Sequence, residues 1–382
     1  MSTDQLKASP CGHLVPTIEG QLAFVPDPPP SHIDLTPSLV SQLEKALLAV
    51  GTLAGVGETL PNPNLLIVPF LHREAVLSSR IEGTQASISD LFMFEASGER
   101  GRVSDAKEVV NYVHALNLGL DLLNELPICL RLVNSIHARL LQDVRGEDKT
   151  SGDLRKDQNW IAPWGTPIQQ ARFIPPPAQL LHELMSHWEQ FANDEFEMPL
   201  LIQSAVMHYH FEAIHPYLDG NGRIGRLLIT LFLCAKGVLP KPLLYLSAYF
   251  ERHRDEYYDR LYDISATGNW QAWIAFFLGG VAEQAEDALA RSRRVRELHE
   301  RHRNTLQAGR ASGNVLHLLD ELFVNPYVSA PRASRLLGIS HTGAQHVLER
   351  LLQAGIIEYA GGRWPRLYVA RELLDVIEAP IA

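Results

Sequence analysis

The chain has 382 residues, 46% of them apolar and 20% charged, which is typical of a globular protein of two or three domains with packed cores. Its formal net charge of -10 excludes a general attraction to nucleic acid, so any DNA contact needs a local basic patch. The three cysteines are far apart, which excludes a disulfide framework or a cysteine zinc site and favours a reducing cytoplasm.

The first 36 residues lack the apolar core of a signal peptide and are rich in proline, so they predict an irregular, extended strap. Thr36 and Pro37 supply a cap and a first-turn proline, and leucines at helical spacing then predict a helix that Gly51 ends. A second helix is expected over 65–80.

The polar segment SSRIEG follows this second helix. Ser78 and Glu82 lie four residues apart in it and would share one face if the segment is helical. Composition alone favours an ordinary exposed helix end, with Glu82 solvated and Gly83 as the stop. Helical residues resume over 87–94.

Helices are next expected over 105–126 and 129–141, and a charged loop over 142–158. Two short β-prone runs then predict a hairpin, the only sheet expected in the first 300 residues; its residues are Trp160, Ile161, Phe173 and Ile174. A lone hairpin is marginal by itself, so it either packs on the helices or offers an edge on which another chain docks.

Two helices, over 179–193 and 200–214, precede the most informative stretch. The second is the most apolar and contains His208 and His210, which are better explained as core histidines than as metal ligands, because the HExxH pattern is absent. The longest apolar run, near 227–233, is too short to span a bilayer, and no membrane contact is expected.

Residues 215–226 read HPYLDGNGRIGR and combine the residue types that phosphate chemistry requires. His215 can accept a proton near neutral pH, and Asp219 offers oxygen ligands to magnesium. The glycines let backbone N–H groups approach an anion, and a helix N-terminus follows at once. Arg223 and Arg226 are three apart on that helix, so both can reach phosphate oxygens.

Beyond this stretch, 243–264 predicts a helix with a tyrosine-rich side and 270–281 a buried helix. Residues 282–303 are helical and basic, which indicates either a solvated linker or a phosphate-backbone contact. From residue 312, a helix, a helix–turn–helix and two strands follow in the order of a winged helix-turn-helix domain. Seven Lys/Arg balance seven Asp/Glu over 310–382, so DNA binding and protein contact both stay open.

The motif HPYLDGNGRIGR resembles the signature of the Fic family, HPFx(D/E)GNGRxxR, with Tyr217 at the usual phenylalanine position. SSRIEG resembles the inhibitory motif (S/T)xxxE(G/N) of one class of Fic proteins, and the hairpin after Asn159 resembles the Fic flap. The resemblance spans most of 20–382 and implies a mainly α fold, in which a winged helix is a common companion. The domains expected are an N-terminal region with the inhibitory helix over 1–112, a Fic core with a β-hairpin flap over 113–281, a basic linker helix over 282–311 and a winged helix-turn-helix domain over 312–382.

This resemblance implies transfer of AMP from ATP to a Ser, Thr or Tyr hydroxyl of a target protein and of the chain itself. His215 would be the base, and Asp219 would hold Mg²⁺ between the α- and β-phosphates. The target would add its backbone to the flap edge. The candidate residues for binding ATP and its phosphates are Gly220, Asn221, Gly222, Arg223, Ile224, Gly225, Arg226 and His210.

The resemblance also implies that Glu82 pairs with Arg226, occupies the place of the γ-phosphate and leaves ATP in an unproductive pose. Ser78 would anchor the inhibitory helix. Three alternatives stay open: a variant with another donor, such as UTP or a choline diester; an enzyme that also removes AMP; and a DNA-binding regulator whose Fic core is a sensor. The partners considered are therefore ATP, a target protein, DNA and a second copy of the chain.

Overall fold

The computed structural model describes residues 3–59, 62–97, 103–144, 150–163, 165–361 and 366–379, and within them the chain is mainly helical. The helices of the first half are α1 (Thr3–Lys7), α2 (Pro37–Thr59), α3 (Asn64–Ile81), α4 (Ile88–Ser97), α5 (Val103–Leu122), α6 (Leu130–Leu140), α7 (Leu181–Asn193) and α8 (Leu200–Ile214). Those of the second half are α9 (Asn221–Ala235), α10 (Ser247–Arg252), α11 (Arg254–Thr267), α12 (Trp270–Ala308), α13 (Gly313–Val324), α14 (Ala330–Leu337), α15 (His341–Gln353) and α16 (Arg371–Glu378). The strands are β1 (Gly12–Pro16), β2 (Leu22–Pro26), β3 (Tyr327–Ser329), β4 (Glu358–Tyr359) and β5 (Leu367–Val369).

The N-terminal segment is more regular than its prolines predict. β1 and β2 form an antiparallel hairpin in register from Gly12 opposite Pro26 to Pro16 opposite Leu22, so the expectation of an irregular strap is wrong. The two prolines stand at strand ends, where a missing N–H is tolerated. Phe24 of β2 is fully buried and ties the hairpin to the rest of the fold.

Helix α2 continues to Thr59, past the stop predicted at Gly51, because its apolar side packs along α12. Tertiary packing therefore overrides the weak helix propensity of Gly51 and Gly55, which both face solvent. Among the described helices α2 is the one long and apolar enough to cross a membrane, with a mean hydropathy of 1.3, a criterion that core helices of soluble proteins also meet.

The centre of the fold is α8, which is buried on nearly all sides and packs against α7, α9 and α12. Its C-terminus and the N-terminus of α9 enclose the loop that carries the HPYLDGNGRIGR motif. Nearly all of α9 is buried, so the motif is mounted on two core helices. This mounting fixes the positions of the motif residues more tightly than a surface loop would.

The last third of the chain differs from the prediction in three places. The tyrosine-rich segment forms two helices, α10 and α11, broken at His253, where ψ is 37°. The expected linker over 282–311 continues α12, which runs unbroken for 39 residues. The C-terminal unit, residues 313–379, adds a strand, β3, and a helix, α16, to the predicted elements; its antiparallel sheet has the order β3-β5-β4. Arg363 in the predicted wing turn lies outside the described residues.

Candidate active site

The motif loop is held in one conformation by its own side chains. His215 caps α8 in the left-handed region, with φ of 50°, and Gly220 starts α9 with φ of 79°. The Asn221 side chain closes the loop: Oδ1 accepts the Tyr217 N–H at 2.8 Å, and Nδ2 donates to the Tyr217 carbonyl at 2.7 Å. Asn221 therefore shapes the loop with its side chain and leaves only its backbone N–H for an anion.

Tyr217 occupies the packing position expected of it. Its ring is fully buried and stacks on the His137 ring, with centroids 3.8 Å apart. The hydroxyl donates to Asn134 Oδ1 at 2.6 Å, which accounts for a tyrosine being tolerated inside the core. His137 continues the support, because the Gly152 N–H donates to Nδ1 and Nε2–H therefore donates to the Asp219 carbonyl at 3.0 Å.

Two residues that the sequence reasoning missed fix the backbone of His215. Arg155, only 2% exposed, donates from Nε to the His215 carbonyl at 2.9 Å and from Nη2 to the Pro176 carbonyl at 2.6 Å. Asn159 Nδ2 donates to the same His215 carbonyl at 3.2 Å. The loop before the flap is thus hydrogen-bonded directly to the backbone of the candidate base. The local sequence around Arg155 and Asn159 does not predict this long-range contact.

The His215 ring is oriented to act through its Nε2 atom. Nδ1 lies 3.2 Å from the carbonyl of Glu212, so the proton resides on Nδ1 and Nε2 is the free acceptor. Burial, and then the Arg155 charge, lower the pKa of His215 to about 4. At neutral pH this histidine is an uncharged base.

Glu212 is a second missed residue beside the base. Its carboxylate Oε2 lies 4.0 Å from His215 Nδ1, and its buried Oε1 has no hydrogen-bond partner among the described residues. Burial raises the pKa of Glu212 to about 8, although Arg226 acts to lower it. A Cβ at Gly225 would collide with Oε1, so this glycine of the motif makes room for the Glu212 carboxyl group.

The structure brings Ser78, Glu82 and Arg226 together. Arg226 is 1% exposed and donates from Nη2 to Glu82 Oε1 at 2.8 Å, from Nε to Ser78 Oγ at 2.9 Å and from Nη2 to the Ser78 carbonyl at 2.9 Å. Burial opposes ionisation of Glu82, but the charge and hydrogen bond of Arg226 outweigh it and lower the Glu82 pKa. The Arg226 guanidinium is therefore held by the last turn of α3 and by Glu82, the residue that follows this helix.

Gly222 explains how close Glu82 comes to the start of α9. A Cβ at this position would collide with Glu82 Oε1 and lie 2.9 Å from Arg226 Nη1. Only a glycine fits while Glu82 is in place. The carboxylate thus occupies the N-terminal end of α9, which is the position that favours an anion.

Arg223 lies at the same end of the helix with donors to spare. Nη2 is 3.4 Å from Asp219 Oδ1, and Nη1 is 3.6 Å from Glu108 Oε2, a partner from α5 that the sequence did not reveal. Its buried Nε and Nη1 make no hydrogen bond within the described part of the chain. Buried guanidinium donors without acceptors are what a phosphate group would satisfy.

The other predicted phosphate residues divide into two groups. Ile224 and Gly225 are buried in the first turns of α9, where they pack rather than face the loop. His210 lies elsewhere: its ring stacks on Trp270 at 5.9 Å and meets Tyr209, and its buried Nε2 has no partner among the described atoms. Of the two histidines on α8, His208 contacts the motif, through Nδ1 to the Gly225 carbonyl at 3.1 Å.

The flap is smaller than the predicted hairpin. Ile161 and Phe173 form one antiparallel bridge, with the Ile161 N–H to the Phe173 carbonyl at 2.8 Å, in place of two strands. The Ile174 carbonyl accepts the N–H of Phe24 at 2.9 Å, so β2 covers that edge. Trp160 is 41% exposed on the other edge.

Asp219 is the candidate magnesium ligand. It accepts the Gly220 N–H at 2.7 Å, and its side chain is 27% exposed. No cluster of three or more potential metal ligands occurs in the described residues. A single carboxylate fits Mg²⁺ nonetheless, because this ion usually keeps several waters and binds through one or two carboxylates plus substrate phosphates.

Four buried histidines, His137, His208, His210 and His215, predict loss of stability in acid. Burial lowers their pKa values to about 4, about 3, about 3 and about 4. The unfolded chain would take up these protons near pH 6.5, whereas the folded chain would not. Stability is therefore present above this pH and falls as the pH drops toward 4.

Two buried carboxyl groups, Glu212 and Glu74, have raised pKa values and act in the opposite sense. The four histidines outnumber these two carboxyl groups, so the unfolded chain binds more protons than the folded chain around pH 5. We expect the free energy of unfolding in urea to be clearly lower at pH 5.5 than at pH 7.5. An equal or higher value at pH 5.5 would contradict this reading of the buried histidines.

The chain is similar to known proteins of one family over two segments. Residues 40–121 match the family model for the Fic/DOC family N-terminal region, and residues 127–233 match the Fic/DOC family model. The protein adenylyltransferase Fic of Aedes aegypti is 29% identical over 151 residues, which are 39% of this chain and 27% of that protein. A probable protein adenylyltransferase of Aquifex aeolicus is 36% identical over 69 residues, 18% of this chain and 22% of that protein.

The chain thus spans about a quarter of the length of the curated relatives it matches. A crystal structure of a Fic family protein from Desulfovibrio desulfuricans covers 90% of this chain and 98% of its own, with a TM-score of 0.57 and 19% identity, a likeness that shows the fold. The matched regions contain Glu82 in the N-terminal model and the whole HPYLDGNGRIGR motif in the second. The chain therefore contains a Fic domain over residues 127–233, preceded by the N-terminal region of the Fic/DOC family over residues 40–121.

Proposed function

We propose that this protein is a protein adenylyltransferase that transfers AMP from ATP to a hydroxyl side chain of a target protein, and that Glu82 restrains it. The observation that carries the proposal is the pairing of Glu82 with Arg226 at the N-terminus of α9, beside a neutral His215. Arg226 is 1% exposed and binds a carboxylate at a helix N-terminus, which is the environment that a phosphate group would occupy. In this structure the Glu82 carboxylate takes that place.

His215 would accept the proton of the target hydroxyl at Nε2. The hydroxyl oxygen then forms a bond to the α-phosphorus as the bond to the bridging oxygen of the β-phosphate breaks, and pyrophosphate leaves. The imidazolium gains support from the Glu212 carbonyl, which accepts its Nδ1–H. The bonds from Arg155 and Asn159 to the His215 carbonyl keep the ring in position for the transfer.

The start of α9 would hold the phosphates. The first intrahelical bond of α9 runs from the Ile224 N–H to the Gly220 carbonyl, so the N–H groups of Asn221, Gly222 and Arg223 precede it at the helix start. The guanidinium donors of Arg223 that lack a hydrogen bond among the described residues supply positive charge next to them. Asp219 would hold Mg²⁺, which when bound neutralises charge on the phosphates. Arg226 would bind the γ-phosphate once Glu82 withdraws, because both anions use the same guanidinium.

The acceptor segment of the target would dock on the Trp160 side of the flap. Ile161 directs both of its backbone groups toward Phe173, so those of Trp160 and Ala162 point outward and are available for β-augmentation. The opposite edge, at Ile174, is covered by β2. The proposed docking edge is therefore the one formed by Trp160 and Ala162, and the edge at Ile174 is not used.

We interpret the C-terminal unit as a winged helix-turn-helix, with α14 and α15 as the helix–turn–helix pair and β4 and β5 as the wing. The exposed residues at the front of α15 are His341, Thr342, Gln345 and His346. Equal numbers of acidic and basic residues over 310–382 supply no electrostatic attraction to DNA. Nucleotide transfer therefore takes precedence over DNA regulation as the proposed function.

Labelling with differently tagged donors tests the proposal. Glu82→Gly protein is incubated with Mg²⁺ and with ATP labelled on the α-phosphate, ATP labelled on the γ-phosphate, or UTP labelled on the α-phosphate. We expect protein-bound label from α-labelled ATP alone. Label from γ-labelled ATP would identify phosphoryl transfer instead, and stronger labelling from UTP would identify a different donor; either result would replace the proposed reaction.

A further inference from the structure

Glu82 lies at the tip of a helical hairpin formed by α3 and α4. We use the term inhibitory hairpin for residues 64–97. Its opposite end is closed by a bond between His72 Nε2 on α3 and Glu95 Oε1 on α4, at 2.9 Å, and the His72 ring stacks on Phe92 with centroids 4.8 Å apart. His72 is 3% exposed, so this closure is part of the core.

The C-terminal unit binds the same end of the inhibitory hairpin. Asn325, 3% exposed, donates from Nδ2 to Glu95 Oε2 and to the Phe92 carbonyl, both at 3.2 Å. Arg332 on α14 donates from Nη1 to the Glu95 carbonyl at 2.8 Å. The two oxygens of the Glu95 carboxylate therefore join the inhibitory helix to the C-terminal unit.

A second connection runs through charged residues. Arg73, the neighbour of His72 on α3, lies 3.3 Å from Asp287 Oδ2 on α12, and Arg291 Nε donates to the same oxygen at 2.8 Å. Arg291 also donates to the Ile377 carbonyl at the end of α16, at 3.1 Å. The C-terminal unit is thus fastened to α3 at two places, and α13 packs directly on α3.

In this arrangement, a small tilt at the base of the inhibitory hairpin would displace its tip. Ten residues separate His72 from Glu82, which is about 15 Å of helix. A tilt of about 10° at the base would move the tip by about 2.6 Å over that length, enough to break a hydrogen bond. Glu82 is 35% exposed and reaches Arg226 through a single oxygen, so its contact is the one most readily lost.

We propose that the C-terminal unit sets the strength of inhibition. It holds the base of the inhibitory hairpin in the position from which Glu82 reaches Arg226, and a ligand that draws the unit away from α4 releases the nucleotide site. Asn325 and Arg332 are positioning residues in this scheme, since they act on the site through Glu82. The inference rests on the proposed function and adds a regulator to the same site.

The test is a comparison in two backgrounds. The double variant Asn325→Ala/Arg332→Met is made in the wild-type chain and in Glu82→Gly, and the initial rate of self-labelling by α-labelled ATP is measured. We expect a rise of about fivefold in the wild-type background, the lower end of usual coupling between sites, and no change with Glu82→Gly. Faster hydrogen exchange of residues 64–97 should accompany the rise.

Two further variants control for unfolding of the C-terminal unit and for loss of an arginine charge. Arg332→Met alone removes only the bond to the Glu95 carbonyl and should give a smaller rise with the melting temperature retained. Arg335→Met removes an exposed guanidinium from the same helix and should change nothing.

An unchanged wild-type rate, beside a fast Glu82→Gly enzyme, would overturn the regulatory role and leave the proposed function intact. An equal rise in both backgrounds would overturn it too, because the effect would bypass Glu82. No labelling even with Glu82→Gly would remove the proposed function, and this inference with it.

Discussion

Glu82→Gly is expected to raise the rate of self-labelling by ATP at least several-fold. In the proposed mechanism, the carboxylate of Glu82 occupies the buried Arg226 guanidinium that the γ-phosphate would otherwise bind. Removing the side chain frees the Nη2 donor while the Ser78 hydroxyl continues to hold Nε. It also clears the space above Gly222, where Glu82 Oε1 now blocks the N-terminus of α9. The substitution would therefore leave positive charge available at Arg226 and open the N-terminus of α9, and both changes would favour binding of a phosphate.

The control for this result separates charge from chain flexibility. Glu82→Gln keeps the shape of the side chain but weakens the bond to Arg226, and should give an intermediate rate. Glu58→Gly loosens the exposed end of α2 and should leave the rate unchanged. Equal labelling by the wild type and by Glu82→Gly would contradict the inhibitory role.

His215→Ala is expected to reduce labelling to background in the Glu82→Gly enzyme. The lowered pKa of His215, caused mainly by burial, makes its Nε2 a free acceptor across the neutral range. Loss of a positioned general base removes a factor of about 10² to 10⁴ in rate, which exceeds the several-fold rise expected from Glu82→Gly.

His182→Ala provides the matched control, because this histidine is exposed on α7. It should label at the rate of its parent. Binding of ATP should survive His215→Ala, since the arginines and the helix N-terminus remain. Labelling that persists in His215→Ala would assign the base to another residue.

The sequence predicts the local part of the site well, because that part is determined by local geometry. The glycines and arginines of HPYLDGNGRIGR predict a tight loop that leads into a helix, and α9 begins at Asn221. The helical spacing of Ser78 and Glu82 places both on one side of the last turn of α3. Their meeting with Arg226, about 150 residues later, was available only from the family resemblance.

The parts that the sequence does not reveal depend on tertiary contact. Arg155, in a charged loop, is buried against the carbonyl of His215, and nothing in its neighbours distinguishes it from a solvated residue. Glu212 and Glu108 are acidic residues in helices with no local pattern to mark them, yet both lie at the site. The strand that contains Phe24 ends in proline, which hides it from a pattern based on propensity.

Calorimetric binding tests most directly whether Glu82 and the γ-phosphate compete for Arg226. ATP and ADP are titrated into His215→Ala with and without Glu82→Gly, so that no turnover occurs. We predict that ATP binds no tighter than ADP while Glu82 is present. Without Glu82, ATP should bind about tenfold tighter than ADP, the value of one charged hydrogen bond. The same ratio of the two dissociation constants in both proteins would contradict the account.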